Sequence, residues 1–198
     1  MTNYLTENDL PNEELNKRIA HPLAISELKI GISTGDFICK LANLHKERTF
    51  VGVELKTNSS QIAAKRASQI GLTNLFIVNM EAYLFIRDWV VDSVFDVVHI
   101  YFPTPFPSSI GLSFRLIDLT FVKEIHRILK PFGALRVVTD HRDYYDQIRG
   151  CFKVRDWWAV DWEPLDITPP GYVVGTKQEL IYREESHPQV YALRLIRT

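Results

Sequence analysis

The sequence has no long apolar run, few cysteines and no surplus of charge of either sign. Because no apolar stretch approaches the roughly 20 residues of a membrane-spanning helix, no membrane span is predicted. The first ten residues, MTNYLTENDL, lack the basic and apolar stretches of a secretion signal, so a cytoplasmic location is expected. Lys and Arg number 23 against 24 Asp and Glu, and this net charge of −1 gives no general attraction for a polyanion.

The two cysteines, Cys39 and Cys151, do not have the spacing of metal ligands, and we expect both to be reduced thiols in the core. A chain of 198 residues is long enough for one α/β domain with a full core, whereas two domains would be cramped. We therefore divide it into an N-terminal arm, residues 1–22, and a single domain, residues 23–198.

From residue 25 onwards, apolar runs alternate with segments of helical period. The predicted strands are residues 28–32, 49–55, 75–80, 93–102 and 134–140, and the predicted helices are residues 35–45, 57–70 and 118–129. Thr57 is a candidate N-cap, and Ile62, Ala63, Ala67 and Ile70 form a candidate buried face. This alternation predicts a mostly parallel, doubly wound sheet, in which ligands bind beyond the carboxyl ends of the strands.

Two features at those strand ends suggest a nucleoside site. Gly31 and Gly35 bracket the turn between the first predicted strand and its helix, where glycine lets the backbone approach a ligand. Glu54 ends the second strand, where a carboxylate can accept both ribose hydroxyls. Taken singly, the two glycines are equally typical of a plain turn and Glu54 of a solvated acid, but together they favour a cofactor site.

The cofactor is predicted to be S-adenosylmethionine (SAM) rather than a dinucleotide. A dinucleotide site needs a third glycine to seat the pyrophosphate on the helix N-terminus, and none follows Gly35 at the required place. Asn79 and Glu81, at the end of the third predicted strand, are positioned to contact an adenine from the side.

These residues and three later blocks resemble the bacterial tRNA (guanine-N7)-methyltransferase family. The blocks are FPTPFP at residues 102–107, RILKPFGALRVVTDH at residues 127–141, and TKQE at residues 176–179 followed by HPQVYALRLIR at residues 187–197. The likeness runs from about residue 22 to residue 197. It implies a Rossmann-like, class I SAM-dependent methyltransferase fold, with a mostly parallel seven-stranded sheet and helices on both faces.

The resemblance also implies roles for individual residues. Glu54 matches the ribose acid and Glu81 an acidic cofactor contact, whereas Asp140, Thr176 and Glu179 match residues that frame a guanine acceptor. Phe102 and His141 adjoin that acceptor site as candidate substrate contacts. A carboxylate can accept hydrogen bonds from a guanine edge. The alternative interpretation is that Asp140 is a helix N-cap and that Thr176 and Glu179 form a capping box.

The chain departs from the family pattern at four places. Lys29 stands where the family has an acid on the first strand, so it either faces the SAM carboxylate or points to solvent. Ser33 replaces the middle glycine of the loop. Thr104 replaces an aspartate proposed to be catalytic or substrate-aligning, and a threonine is not a base at neutral pH. Finally, the family's basic run after that loop reads SSIGLSFR here, with Arg115 its only cation.

Three functions follow as alternatives. We favour a SAM-dependent N-methyltransferase acting on a small guanine-like heterocycle, with Asp140 and Thr104 at the reaction centre, because phosphate binding draws on several cations and few are seen near the site. The second alternative is a tRNA (guanine-N7)-methyltransferase, and the third is a catalytically inactive SAM-binding module. The oligomeric state is not predicted.

Overall fold

The computed structural model describes residues 3–21, 23–106, 111, 114–152, 156–160 and 190–198. Within these residues, a single sheet of eight strands has the order β1-β4-β3-β2-β5-β6-β8-β7. The strands are β1 Asn3–Thr6, β2 Ser26–Ile30, β3 Thr49–Val53, β4 Leu75–Asn79, β5 Phe95–Tyr101, β6 Leu129–Thr139, β7 Trp157–Val160 and β8 Tyr191–Arg197. The helices are α1 Glu13–Ile19, α2 Asp36–Leu44, α3 Thr57–Gln69, α4 Ala82–Trp89, α5 Leu119–Ile128 and α6 Arg142–Cys151, with a 3-10 turn at Glu7–Asp9.

The six strands β1 to β6 are parallel, and β8 and β7 close the far side of the sheet as an antiparallel pair. Because alternate side chains of a strand face opposite ways, the sheet carries a core on each face. On one face, α2 and α3 cover residues such as Phe50 and Ile77. On the other, α1, α4, α5 and α6 cover residues such as Leu28 and Val98.

The chain runs from β2 outwards through β3 to β4, then returns to the other side of β2 as β5. The order therefore reverses between β2 and β5. In open α/β sheets, a reversal of this kind leaves a crevice beyond the carboxyl ends of the strands, where ligands bind. Among the described residues, no helix is long and apolar enough to cross a membrane.

The predicted doubly wound methyltransferase fold is confirmed, with eight strands instead of seven. The additional strand is β1, which comes from the segment predicted to be an arm and pairs with β4 at the edge of the sheet. Helix α1 likewise packs on the core through Leu15 and Ile19. The division of the chain at residue 22 stays a prediction.

The prediction for α3 was wrong in two details. Its N-cap is Lys56 rather than Thr57, which is the first helical residue. Its buried side chains are Ser60, Ala63, Ala64 and Ala67, whereas Ile62 and Ile70 are largely exposed. The physical reason is close packing: a Cβ on Gly35 would lie only 2.7 Å from Ala63 Cβ, so only small residues of α3 fit against this loop.

Candidate active site

A cleft of about 420 Å³ lies beyond the carboxyl ends of β2, β3, β4 and β5. This volume falls within the range of roughly 300–1,000 Å³ that is usual for small-molecule sites. Six of the predicted site residues line it: Gly31, Ser33, Glu54, Glu81, Phe102 and Thr104. The structure thus brings together the predicted cofactor loop and the predicted acceptor loop in one cavity.

The loop between β2 and α2 is shaped around Glu54. Gly31, Ser33 and Gly35 all have positive φ, at 69°, 51° and 78°. The amide of Ser33 donates to Glu54 Oε2 at 2.8 Å, and the amide of Lys56 donates to Glu54 Oε1 at 3.0 Å. The amide of Ser33, in the middle of the loop, is therefore bound by a carboxylate of the protein.

These residues fit a nucleoside cofactor. Glu54 is 9% exposed, and two of the roughly four acceptor positions of its carboxylate are taken by the two amides, so two remain for ribose hydroxyls. A Cβ on Gly31 would meet no atom within 4 Å, so the backbone faces open space there. A nucleoside can consequently approach the β2 loop closely while its ribose meets Glu54.

Asn79 lies beside the cleft but does not line it. Its Nδ2 donates to the carbonyl oxygens of Glu54 and Leu55 at 2.9 and 3.1 Å. Its Oδ1 accepts a hydrogen bond from the hydroxyl of Tyr4, on strand β1, at 3.3 Å. In this structure Asn79 fixes the end of β3, and its predicted contact with an adenine stays a prediction.

Glu81 lines the cleft and is also the N-cap of α4. Its two carboxylate oxygens accept from the amides of Tyr83 and Leu84 at 3.0 and 2.8 Å. These bonds satisfy two of the free amides at the start of the helix. The carboxylate is thereby held rigidly at the wall of the cleft.

Lys29 is buried behind the cleft, with 3% of its surface exposed, so it does not point to solvent. Its Nζ donates to the carbonyl oxygen of Ile30 at 2.9 Å and lies 4.8 Å from the centre of the Tyr101 ring. Burial lowers the pKa of Lys29 to about 7, against an opposing effect of the Glu54 carboxylate, which raises it.

On the side predicted to receive the acceptor, the loop that follows β5 lines the cleft through Phe102, Thr104 and Phe106. Phe102 has φ of 51°, a conformation that is costly for a bulky residue and that is commonly found at functional sites. Its amide donates to Val138 O at 2.7 Å, which holds the start of the loop against β6. Thr104 is exposed in this loop.

Arg115 is an internal clamp for this loop. It is 4% exposed, and its Nε donates to the carbonyl oxygens of Pro105 and Phe106 at 2.7 and 3.1 Å. Its Nη1 donates to Gln147 on α6 at 2.7 Å. The one cation that the sequence places after the loop is thus committed to holding the loop in place.

Asp140 and His141 follow β6 at the same edge of the sheet but do not line the cleft. The alternative of Asp140 as the N-cap of α6 was wrong, because His141 is the cap and its Nδ1 accepts from Tyr144 N at 3.3 Å. Asp140 is exposed. Thr176 and Glu179 lie outside the described residues, so their predicted roles stay predictions.

A profile of a family described as putative methyltransferases matches residues 24–160. The tRNA (guanine-N(7)-)-methyltransferase of Rhizobium etli is 30% identical over 185 residues, which cover 91% of this chain and 79% of that protein. The chain belongs to the tRNA (guanine-N7)-methyltransferase family.

Another relative of the same name, from Thermotoga maritima, is 28% identical over 134 residues, or 68% of this chain and 43% of that protein. The chain thus spans about half the length of several curated family members that it matches. Among solved structures, the antibiotic-resistance methyltransferase Kmr superposes with a TM-score of 0.64 at 14% identity, covering 92% of this chain and 91% of Kmr. Fold and family are those of SAM-dependent methyltransferases, and SAM is the implied cofactor, as the sequence predicted.

Membership of this family corrects the preference for a small heterocycle over tRNA, because the curated relatives are named as tRNA methyltransferases. The sequence argument counted the cations of contiguous segments, whereas the cleft also receives residues from other parts of the chain. Lys56 is exposed and lines the cleft, and Arg142 follows His141 with 61% of its side chain exposed. Lys56 comes from a segment that the fold brings to the cleft, whereas Arg142 does not line the cleft and pairs with Asp146 at 2.8 Å.

Other residues of the site were missed because each one depends on the fold. Tyr101 lies at the end of β5 and lines the cleft. Tyr4 reaches the site from the edge strand β1, whose sequence has no apolar run that would predict a strand. The position of Tyr101 directly before the Phe-Pro loop was a usable signal, whereas the position of Tyr4 was not.

Proposed function

We propose that this chain is a SAM-dependent methyltransferase that methylates N7 of a guanine in tRNA. The observation that carries the proposal is the cleft at the carboxyl edge of the sheet, where Glu54 is fixed by two backbone amides opposite the loop of Phe102 and Thr104. The guanine acceptor is favoured by family membership, since a relative of that name aligns with 91% of the chain. A cytoplasmic location stays a prediction.

When bound, SAM supplies an electrophilic methyl group, and the lone pair of guanine N7 takes it as the carbon–sulfur bond breaks. The residues of this chain do the positioning. Glu54 would accept hydrogen bonds from the ribose hydroxyls, and the wall of the cleft at Glu81 would border the nucleoside. N7 carries no proton, so no general base is needed, and Thr104 is sufficient as an orienting hydroxyl. Holding two reactants in line accounts for a large part of such a rate acceleration.

Asp140 is proposed to hold the acceptor guanine. Its carboxylate would accept hydrogen bonds from the N1–H and the exocyclic amine, so that N7 faces the methyl group. Phe102 and His141, with Thr176 and Glu179, are proposed to complete this subsite. Asp140 is exposed at the end of β6, as expected for a residue that meets a macromolecular substrate.

The test has two stages. Calorimetry with S-adenosylhomocysteine (SAH), the demethylated product, examines the cofactor site. Transfer of labelled methyl groups to a tRNA transcript, followed by nucleoside digestion and mass spectrometry, then identifies the product. Label in 7-methylguanosine is the expected result. If SAH binds but no label enters tRNA, the proposed acceptor is contradicted. Label in free guanosine would then indicate a small-molecule enzyme, and no label in either substrate would indicate an inactive binding module.

Asp140→Asn examines the acceptor subsite on its own. We expect turnover on tRNA to fall by about tenfold or more while SAH affinity is retained, since a charged hydrogen-bond partner is lost only on the acceptor side. Asp143→Asn, at an exposed position in the first turn of α6, is the matched control and should behave as wild type. Unchanged turnover in Asp140→Asn would rule out this role.

A further inference from the structure

Lys29 is separated from the cleft only by residues of the cleft wall. Its Nζ lies 2.9 Å from Ile30 O and 3.5 Å from Gly31 O, and 4.8 Å from the ring centre of Tyr101. Ile30, Gly31 and Tyr101 all line the cavity. A small movement of the lysine side chain would therefore bring the ammonium group into contact with a ligand that lies against this wall.

The ammonium group has no carboxylate partner among the described residues, none of whose acidic oxygens lies within 4.0 Å of it. Glu27 lies two residues earlier on the same strand, and its two carboxylate oxygens bind Arg48 and His99, each at 2.8 Å. The carboxylate of Glu54 attracts Lys29 from a greater distance while it holds the two loop amides.

The remaining polar groups on this face of the sheet do not neutralise the lysine. His99 is the cross-strand neighbour of Lys29 on β5, and Arg136 is the next neighbour on β6. The side chain of Tyr101 presents its ring to the lysine and its hydroxyl to His99, at 2.9 Å. A buried cation whose partners are two carbonyl oxygens and one aromatic ring carries a desolvation penalty, which an arriving anion would offset.

The sheet order indicates which part of the cofactor reaches Lys29. Glu81 follows β4 and Glu54 follows β3, so the adenine and ribose lie over β4 and β3 in the proposed function. The next strand is β2, which carries Lys29, followed by β5, which leads to the acceptor loop. The amino-acid end of the cofactor, which extends from the ribose towards the acceptor, must therefore pass over Gly31.

We propose that Lys29 binds the carboxylate of the amino-acid end of SAM and so determines which cofactors this cleft accepts. This inference rests on the proposed function and deepens it. The acid that the family resemblance places on this strand would favour the ammonium group of the cofactor, whereas Lys29 reverses the charge and selects the carboxylate.

The experiment compares two ligands by calorimetry: SAH and 5′-methylthioadenosine, a thioether of adenosine that lacks the amino-acid end. Lys29→Met keeps a long side chain without the charge. We expect this variant to lower the affinity for SAH by about tenfold or more and to change the affinity for methylthioadenosine by no more than about twofold, since only a hydrogen bond between charged groups is removed. Lys65→Met, the same change at an exposed position on α3, should leave both affinities unchanged.

A second readout uses the wild type alone and does not depend on whether the variant folds. Above neutral pH the lysine of the free protein has lost its proton in part, and a bound carboxylate should restore it. Calorimetry at pH 8 in two buffers of different ionisation enthalpy should show proton uptake with SAH and none with methylthioadenosine.

The outcomes separate the two proposals. If neither ligand binds the wild type, the proposed function fails and the role of Lys29 fails with it. In the other case, both ligands bind the wild type. If Lys29→Met then lowers both affinities equally or lowers neither, and SAH binding takes up no proton, the role of Lys29 is overturned and the proposed cofactor site stands.

Discussion

Ser33 is a strained residue in the middle of the cofactor loop. Its φ of 51° lies in the left-handed region, which residues with a Cβ enter at a cost of about 1–2 kcal/mol. The interaction that fixes it is the 2.8 Å hydrogen bond from its backbone amide to Glu54, which any residue could make. The side chain of Ser33 is therefore not what the loop requires.

Ser33→Gly should raise the free energy of unfolding, by up to about 1 kcal/mol, because glycine adopts this conformation without strain while the amide bond to Glu54 is kept. Urea denaturation measures the change. Ser68→Gly, in the last turn of α3, is the control and should lower the stability slightly, by less than about 1 kcal/mol. A loss of stability in Ser33→Gly would show that its hydroxyl makes a contact that outweighs the strain.

Lys29 predicts a pH dependence of stability. Its pKa is about 7 in the folded protein against 10.5 for an ordinary lysine, so the unfolded chain binds more protons between those two values. The free energy of unfolding therefore rises with pH across that window, and the full penalty of the buried charge applies below pH 7.

Lys29→Met removes this contribution. Relative to wild type, the variant should be most stabilised at pH 6, by more than about 1 kcal/mol, and the difference should shrink steadily towards pH 10. Urea denaturation of ligand-free protein at several pH values measures the difference, and Lys65→Met should show no such trend. A difference that is constant with pH would mean that the lysine titrates alike in both states.

At the scale of elements, strand β1 supports the cofactor site from the edge of the sheet. The Tyr4 hydroxyl donates to Asn79 Oδ1, and this fixes the amide so that Nδ2 donates to the carbonyl oxygens of Glu54 and Leu55. The N-terminal segment thus reaches the backbone of Glu54 through the side chains of Tyr4 and Asn79.

Tyr4→Phe removes the hydroxyl alone. We expect SAH to bind more weakly by up to about tenfold, because Asn79 loses the hydrogen bond that orients its amide. The hydroxyl also lies 3.2 Å from Ser60 Oγ, so the loss of two hydrogen bonds should lower the free energy of unfolding by about 1–3 kcal/mol. Tyr145→Phe, on α6 and outside the lining of the cleft, is the control. Equal SAH affinity in Tyr4→Phe and wild type would show that Asn79 holds its orientation without Tyr4.

The loop after β5 depends on Arg115 in the same way. Arg115→Met leaves the carbonyl oxygens of Pro105 and Phe106 without their donor, and it should cost about 1–3 kcal/mol of stability. Because the loop lines only the acceptor side of the cleft, kcat/KM on tRNA should fall while SAH affinity is retained. Arg115→Lys should restore little, since a lysine cannot reproduce the fork of the guanidinium group. Loss of SAH binding would contradict this separation.

Elements with strong apolar runs were predictable, and elements defined by tertiary contacts were not. Strands β2 to β5 and helices α2 and α5 lie within about two residues of the sequence prediction, because buried parallel strands are continuous apolar runs. The polar residues of β1 give no such signal, and its place is set by pairing with β4. In the same way, Gly31, Gly35 and Glu54 were readable from their order along the chain, whereas the clamp of Arg115 and the burial of Lys29 require the folded arrangement.

Over the whole molecule, 23 basic and 24 acidic residues leave no general field to attract a nucleic acid, so the tRNA affinity that the proposed function requires must come from a few local cations. Lys56 is exposed at the cleft and is the best placed of these.

Each phosphate that a protein neutralises contributes a slope of about −0.7 to −0.9 to the dependence of log affinity on log salt concentration. A chain of this charge should show a shallow total slope, of about −2 to −4, and Lys56→Gln should make it shallower by about one. Fluorescence anisotropy of labelled tRNA over a KCl series measures both slopes. Lys65→Gln, on α3 away from the cleft, should leave the slope as it is, and an equal change in the two variants would show that tRNA does not approach the protein through this cleft.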